Sequence, residues 1–377
     1  MAKLKPIKAA LIGCGAISGI YLENLCKNFK VIEMVGCSDI NPENSRKKAE
    51  EYGIRQMTYE EILGDPEIEI VVNTTFPLAH YEITKAALNA GKHVYSEKMI
   101  AVTLEEGEEL LTLAREKGLQ FTVAPDTFLG GGLQTARWII DSGLIGEPVS
   151  VSGFCQRGYH LTRPDDYCGM IHLPGGGIPF DIGGYYLHAM VNLFGPIERA
   201  TGFAITRNPD RTFLNPISPR YKDPFHVETI NTISASMQFE NGVLGALTIT
   251  SESVTGVQKI DVIGTEGLLS IHDPNDFSGP ITVKRPGNPE PLVIPYTHPY
   301  TKNSRGIGVA DMAYAIKNQR QPRADASLGL HAFEVVHSVW ESTKTGKTFT
   351  IQNKTVRPRA VRKTSLSGAS AESILDD

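Results

Sequence analysis

The first third of the chain alternates between two hydrophobic patterns. Short unbroken apolar runs are separated by segments whose apolar residues return every three or four positions. Ile7–Ile12, Val31–Cys37, Ile68–Thr75, His93–Ser96 and Gln120–Ala124 read as strands. Helices are predicted over about 18–27, from Pro42 to near Gly53, from Thr58 onward, over about 80–90, and from Thr103 to near Gly118. Asn41-Pro42 offers an N-cap with proline at the first helical position. Thr58 with Glu61, and Thr103 with Glu106, have capping-box spacing. Strands that are apolar on both faces need cover on both faces, so this region predicts a doubly wound parallel sheet.

The pattern changes after Val149. Segments near 149–157, 229–239, 243–252 and 258–271 are rich in Val, Ile, Thr and Ser, and Asn241-Gly242 between two of them is a hairpin signal. They predict a large, open, mostly antiparallel sheet, followed by helices over about 307–319 and 327–343. From Ala360 to Asp377 the chain is rich in Ser, Ala and charge without apolar periodicity, which predicts disorder. The expected organisation is an α/β domain over 1–127, an α+β domain over 128–359 and a disordered tail over 360–377.

Composition narrows the function. The 377 residues are 41% hydrophobic with a net charge of −5, which suits two globular cores and lacks the basic patch of a nucleic-acid binder. Cys14, Cys26, Cys37, Cys155 and Cys168 include no CxxC pair, so reduced thiols and a cytoplasmic location are expected. No signal region and no bilayer-spanning run is seen, so no membrane partner is expected. His172 and His188 flank Asp181 without metal-ligand spacing, so no metal is expected.

Chemistry enters at the first strand end, where Gly13-Cys14-Gly15-Ala16-Ile17-Ser18-Gly19 joins strand to helix. Two glycines let backbone N–H groups approach a pyrophosphate, and the helix N-terminus adds a positive partial charge. Ser18 stands where the third glycine of G-x-G-x-x-G is usual. Such a turn also occurs as a plain tight loop, but here it lies between strand and helix, as the mechanism requires. The next strand ends at Asp39, roughly 20 residues further on, where a carboxylate can accept from both ribose hydroxyls. It would repel a 2′-phosphate, which favours NAD over NADP. A simple turn or capping role is the other reading of Asp39.

This Rossmann turn, Thr75-Phe76-Pro77 followed by His80, Glu97-Lys98 at a strand end, and Gly175-Gly176-Gly177-Ile178-Pro179-Phe180-Asp181-Ile182-Gly183-Gly184-Tyr185 together resemble the Gfo/Idh/MocA oxidoreductases over about residues 6–350. The resemblance implies a Rossmann domain, then an α+β domain whose open sheet commonly forms a subunit interface, so a homo-oligomer. It also implies a nicotinamide dinucleotide and a sugar, inositol or other polyol substrate. Lys98 matches the lysine of the family's Glu-Lys-Pro motif, with Met99 in place of proline. Asp181 matches the acid of the second motif, and Tyr185 falls where many members have His and some Tyr. Thr75, Pro77, His80 and Glu97 join Gly13, Gly15, Ala16, Ile17, Asp39 and Lys98 as cofactor-side candidates.

Oxidising a secondary alcohol removes a hydride and a proton, so the protein must orient the carbon and take the proton. Lys98, Asp181 and Tyr185 are the catalytic candidates, with Lys98 and Tyr185 sharing the proton and Asp181 placing the sugar. Their plainer roles are a solvated lysine, a helix N-cap and a core aromatic. Arg157, Tyr159, His160 and His188 are candidate sugar contacts; the first three read equally as a solvated loop, and His188 as a core histidine. His80, beginning a helix, reads first as structural. The glycine-rich second motif is similar to members that oxidise pyranose rings, which leans the expectation to C3 of a glucoside. Inositol dehydrogenase, an NAD-retaining redox-neutral glycosidase and a non-catalytic sugar sensor are the alternatives.

Overall fold

The computed structural model describes residues 5–158, 172–364, 366 and 368–377. The chain divides into two compact units: Met1–Gly131 with Thr297–Gly329 and Arg359–Asp377, and Gly132–Tyr296 with Leu330–Pro358.

In the first unit β1 (Ile7–Ile12), β2 (Ile32–Ser38), β3 (Arg55–Gln56), β4 (Ile70–Asn73), β5 (His93–Ser96) and β6 (Phe121–Val123) form one six-stranded sheet, ordered β3-β2-β1-β4-β5-β6. Every pairing in it is parallel. The order reverses between β1 and β4, which opens a crevice at their carboxyl ends. Helices α1 (Ser18–Lys27), α2 (Pro42–Tyr52), α3 (Tyr59–Gly64), α4 (Pro77–Asn89) and α5 (Leu104–Glu116) make the connections. β4 reads Ile-Val-Val-Asn and is buried throughout, as its unbroken apolar run demands. Both capping boxes form, and the Asn41 side chain accepts from the Glu43 N–H at the start of α2. Helix α4 begins at Pro77 rather than at His80, because proline's fixed φ suits the first helical position.

Two expectations about domain limits are corrected. The helix Ile307–Lys317 belongs to the first unit and not to the second. It is apolar nearly all round, so it needs cover on several sides. Gly308 admits it closely, since a Cβ there would lie 2.7 Å from the Tyr95 ring. The tail is also ordered where it is described: Gly368–Leu375 is a 3₁₀ helix, and Ala371 and Leu375 are fully buried. Polar contacts hold it, which hydrophobic periodicity does not register. Glu372 accepts from the backbone N–H groups of Lys30 and Val31, both at 2.8 Å. Arg323 donates to both oxygens of Asp377 at 2.7 Å.

The second unit carries a nine-stranded sheet in which β7 (Pro148–Gly158) lies between β12 (Leu244–Thr250) and β13 (Glu252–Gly264). All its pairings are antiparallel except β7 with β12. β11 (Thr232–Phe239) pairs with β12 across Asn241-Gly242, and Gly242 takes the left-handed φ of +90° that this turn needs. The predicted run 258–271 is split by a turn into the end of β13 and β14 (Leu268–Ile271). β8 (Ile197–Ile205) has no counterpart in the sequence reading, because Glu198, Arg199 and Gly202 interrupt its apolar pattern. One sheet face is covered by the helix Gly183–Phe194, buried almost throughout. Gly153 on β7 makes room for it, since a Cβ there would lie 2.7 Å from the Met190 methyl and 3.0 Å from the Tyr186 ring. Among the described residues no helix is long and apolar enough to cross a membrane.

Candidate cofactor and catalytic site

The glycine turn follows β1 directly. Gly13 has φ +101°, and a Cβ there would lie 2.6–2.8 Å from the Thr74 and Thr75 backbone, so only glycine fits. Thr74 Oγ1 donates to the Gly13 carbonyl at 2.6 Å and fixes the turn against the end of β4. A Cβ on Gly15 would meet nothing within 4 Å, and Gly15 and Ala16 are exposed. Ser18, in the third glycine position, is fully buried and turns its hydroxyl inward to the Gly15 carbonyl at 2.7 Å. The N-cap residue of α1, Ile17, makes no side-chain cap hydrogen bond among the described residues. The first N–H groups of a helix have no intrahelical partner, so this exposed start suits an anion.

Asp39 stands beside the turn. Its Oδ2 accepts from the Cys14 N–H at 2.6 Å, and its Oδ1 accepts from the Asn41 N–H at 2.8 Å and Asn44 Nδ2 at 3.3 Å. Asp39 thus orders the local turn, and its carboxylate lies against the glycine loop. These residues fit a dinucleotide, with an open glycine cradle, an uncapped helix start and an acid alongside.

At the ends of β4 and β5 the polar groups are tightly tied. Asn73 Oδ1 accepts from the Thr75 hydroxyl at 2.7 Å and the Thr75 N–H at 3.2 Å. Its Nδ2 donates to the His80 carbonyl and the Thr84 hydroxyl, both at 3.2 Å. Glu97 is buried, accepts from the Tyr21 hydroxyl at 2.6 Å through Oε1, and accepts from the Lys98 N–H at 3.1 Å through Oε2. Tyr21 comes from α1, so the Glu97 carboxylate joins the glycine-turn helix to the Lys98 backbone. Burial pushes the Tyr21 hydroxyl well above its ordinary pKa, which keeps it a donor. Lys98 is half-buried, and the Lys98–Met99 peptide bond is cis. His80, expected on the cofactor side, has a ring with no exposed surface that lies between the carbonyls of Thr75 and Met99. Its ring therefore sits behind the turns and not on their accessible face.

Sequence reasoning missed Asn73, Tyr21 and Asp126. An acid just past the end of a parallel strand, as in Ala124-Pro125-Asp126, was a usable signal; the other two gave none. Asp126 is 1% exposed and its Oδ2 accepts from the N–H groups of Gly306 at 2.8 Å and Gly308 at 3.0 Å. Oδ1 has no partner among the described residues. Burial pushes the carboxyl up to about 6 against the two N–H groups and the Arg305 charge, and Glu97 pushes the same way. An acid whose folded pKa lies above its unfolded value binds a proton in the folded state that the unfolded state has released. Its contribution to stability therefore falls as pH rises from about 4 to about 6. The loss is about 3 kcal/mol, at roughly 1.4 kcal/mol per unit. Asp126→Asn should remove this slope, so denaturant midpoints of variant and wild type should converge at acid pH and separate in the variant's favour near neutrality. Parallel pH curves would contradict this assignment.

In the second unit Gly177 has φ +97°, and a Cβ there would lie 2.8 Å from the Ile230 carbonyl and the Thr229 hydroxyl. It is followed by the short helix Ile178–Asp181. Phe180 anchors that helix among the rings of Phe333, His337 and Trp340. Asp181 and Tyr185 are 3% and 6% exposed, with Tyr185 in the first turn of the helix Gly183–Phe194. His188 lies one turn on, is 2% exposed, and its Nδ1 is 2.8 Å from the Gly184 carbonyl. Burial pushes its pKa down to about 4, the behaviour of a neutral core histidine. Arg157, expected to meet sugar, donates to Asp273 Oδ2 at 2.6 Å. Tyr159 and His160 lie outside the described residues.

Comparison with known proteins is consistent with this division. Residues 7–125 match the model described as "Oxidoreductase family, NAD-binding Rossmann fold", and residues 133–270 match the GFO/IDH/MocA C-terminal domain. An uncharacterized oxidoreductase of Schizosaccharomyces pombe is 34% identical over 199 residues, 51% of this chain and 53% of that protein. The inositol 2-dehydrogenase/D-chiro-inositol 3-dehydrogenase of Lactiplantibacillus plantarum is 30% identical over 171 residues, 44% of this chain and 48% of that protein. The chain thus spans about half the length of the curated relatives it matches. Levoglucosan dehydrogenase in complex with NADH shares the fold, with TM-score 0.79 at 20% identity over 92% of this chain and 100% of that one.

Proposed function

This chain belongs to the GFO/IDH/MocA oxidoreductase family, and on that premise we propose that it oxidises a secondary hydroxyl of a sugar, glycoside or related polyol to a ketone, or catalyses the reverse, with NAD. The observation that carries the reading is the open glycine turn with Asp39 beside it, two strands from the half-buried Lys98 in the same sheet. When bound, a nicotinamide dinucleotide supplies the hydride acceptor. Gly13, Gly15, Ala16 and Ile17 would hold its pyrophosphate and Asp39 its ribose hydroxyls, with NADP disfavoured by charge. On the family motifs they match, and not on their placement in the two units, Lys98 and Tyr185 are assigned the proton of the reacting hydroxyl and Asp181 a neighbouring hydroxyl that sets the carbon. The preferred position is C3 of a glucoside, on the form of the Gly175–Tyr185 motif; the name of the inositol dehydrogenase relative supports the wider polyol class.

We extend the reading to self-association through the nine-stranded sheet. Phe203 is 73% exposed, Leu244 57% and Ile263 51%, more apolar surface than a sheet open to water needs.

The test is nicotinamide absorbance on mixing protein and NAD with glucosides, free sugars and inositols. Substrate-dependent NADH is the expected result. Release of an aglycone without NADH would replace this reading with redox-neutral glycosidase chemistry, and tight NAD binding without either product would point to a sensor.

A further inference from the structure

β4 and β5 are neighbours in register, with Asn73 opposite Ser96, so the turns leaving them run side by side. One turn carries Thr75 and the other Lys98 and Met99. A single imidazole joins them. His80, on the first turn of α4, has Nδ1 at 2.7 Å from the Met99 carbonyl and Nε2 at 3.0 Å from the Thr75 carbonyl, with no exposed ring surface. Both carbonyls only accept. A neutral imidazole has one N–H and satisfies one of them; an imidazolium satisfies both.

We infer that His80 is a positioning residue, whose ring holds the Lys98–Met99 turn against the Thr75 turn and thereby sets where the Lys98 ammonium stands. The inference rests on the role of Lys98 proposed above. Asn73 fixes one side of the clamp, since it binds both Thr75 and the His80 carbonyl. The charges nearest the ring are Glu97, which favours its protonated form, and Lys98, which disfavours it; burial opposes the charged form most. The net shift is downward, so near neutrality the ring is neutral and its one N–H donates to one of the two carbonyls at a time. A change of charge at Lys98 then acts on the clamp that positions it.

The test compares wild type with His80→Ala and His80→Asn. Misplacing a catalytic group by about 1 Å costs about 100-fold. His80→Ala should lower kcat by about that factor while the substrate KM and NADH affinity change little. Its kcat–pH profile should shift, added imidazole should restore part of kcat, and His80→Asn should keep more activity than His80→Ala. A folded His80→Ala protein with wild-type kcat and pH profile would overturn the inference. So would a loss of kcat that accompanies lost NADH binding and ignores imidazole, since that marks a merely structural residue. If wild-type protein turns over no substrate, the proposed activity fails instead, and amide exchange decides the clamp. Loss of protection in both the Thr75–Phe76 and Lys98–Ala101 segments of His80→Ala supports it, and unchanged protection overturns it.

Discussion

Lys98→Ala is expected to lower kcat by about 100- to 10,000-fold, the range for removing a positioned acid–base group. The fold and NAD affinity should survive. The Lys98 side chain is half-buried, and two ties in its turn, its backbone N–H to Glu97 and the Met99 carbonyl at His80, survive the substitution. Steady-state kinetics with NADH titration separates the cases. A fall in kcat with unchanged NADH affinity fits a group acting on the reacting hydroxyl. Full turnover in the variant would place the proton chemistry elsewhere, with Tyr185 the first alternative.

The largest stability effect is expected at Arg323. Its side chain is 1% exposed and pairs with Asp311, which is fully buried. Asp311 also accepts from the Arg323 N–H at 2.6 Å and from Arg320 at 2.7 Å. The same guanidinium binds Asp377 and the Arg359 carbonyl, so one side chain ties the helix Ile307–Lys317 to the tail. Arg323→Ala leaves a buried carboxylate with less compensation. Breaking such a pair costs about 3–5 kcal/mol. A matching drop in unfolding free energy, with proteolytic sensitivity over 359–377, is the expected result. A change within about 0.5 kcal/mol, usual for surface sites, would show that Arg320 alone neutralises Asp311.

What the sequence made legible was whatever local chemistry decides. β1, β2, β4, β5 and β6, both capping boxes and the Asn241-Gly242 turn follow from patterns read within a few residues, whereas the two-residue, exposed β3 (Arg55–Gln56) carries no apolar run and was not legible. The glycine turn with Asp39 was readable for the same reason, since the two glycines and the acid after the next strand form a local sequence pattern. The long-range ties were not. Arg323 and Glu372 reach partners distant in sequence through backbone and carboxylate contacts, and no hydrophobic period records those, so the tail read as disordered. Thr297–Gly329 returns to the first unit because its helix is apolar on most sides, which periodicity shows as burial but not as an address. His80 was legible as the start of a helix, but its two carbonyl partners could not be named until the ends of β4 and β5 were seen side by side. His188 shares a helix face with Tyr185, and spacing alone does not say that both are buried.

Hydride transfer between a ring carbon and NAD can be followed by incubating the protein with NAD and glucosides or inositols deuterated at single ring carbons, then weighing the reduced nicotinamide by mass spectrometry. Deuterium in NADH from one labelled position is expected, with C3 of a glucoside the leading choice. Tight NAD binding with no label transferred from any position would contradict it.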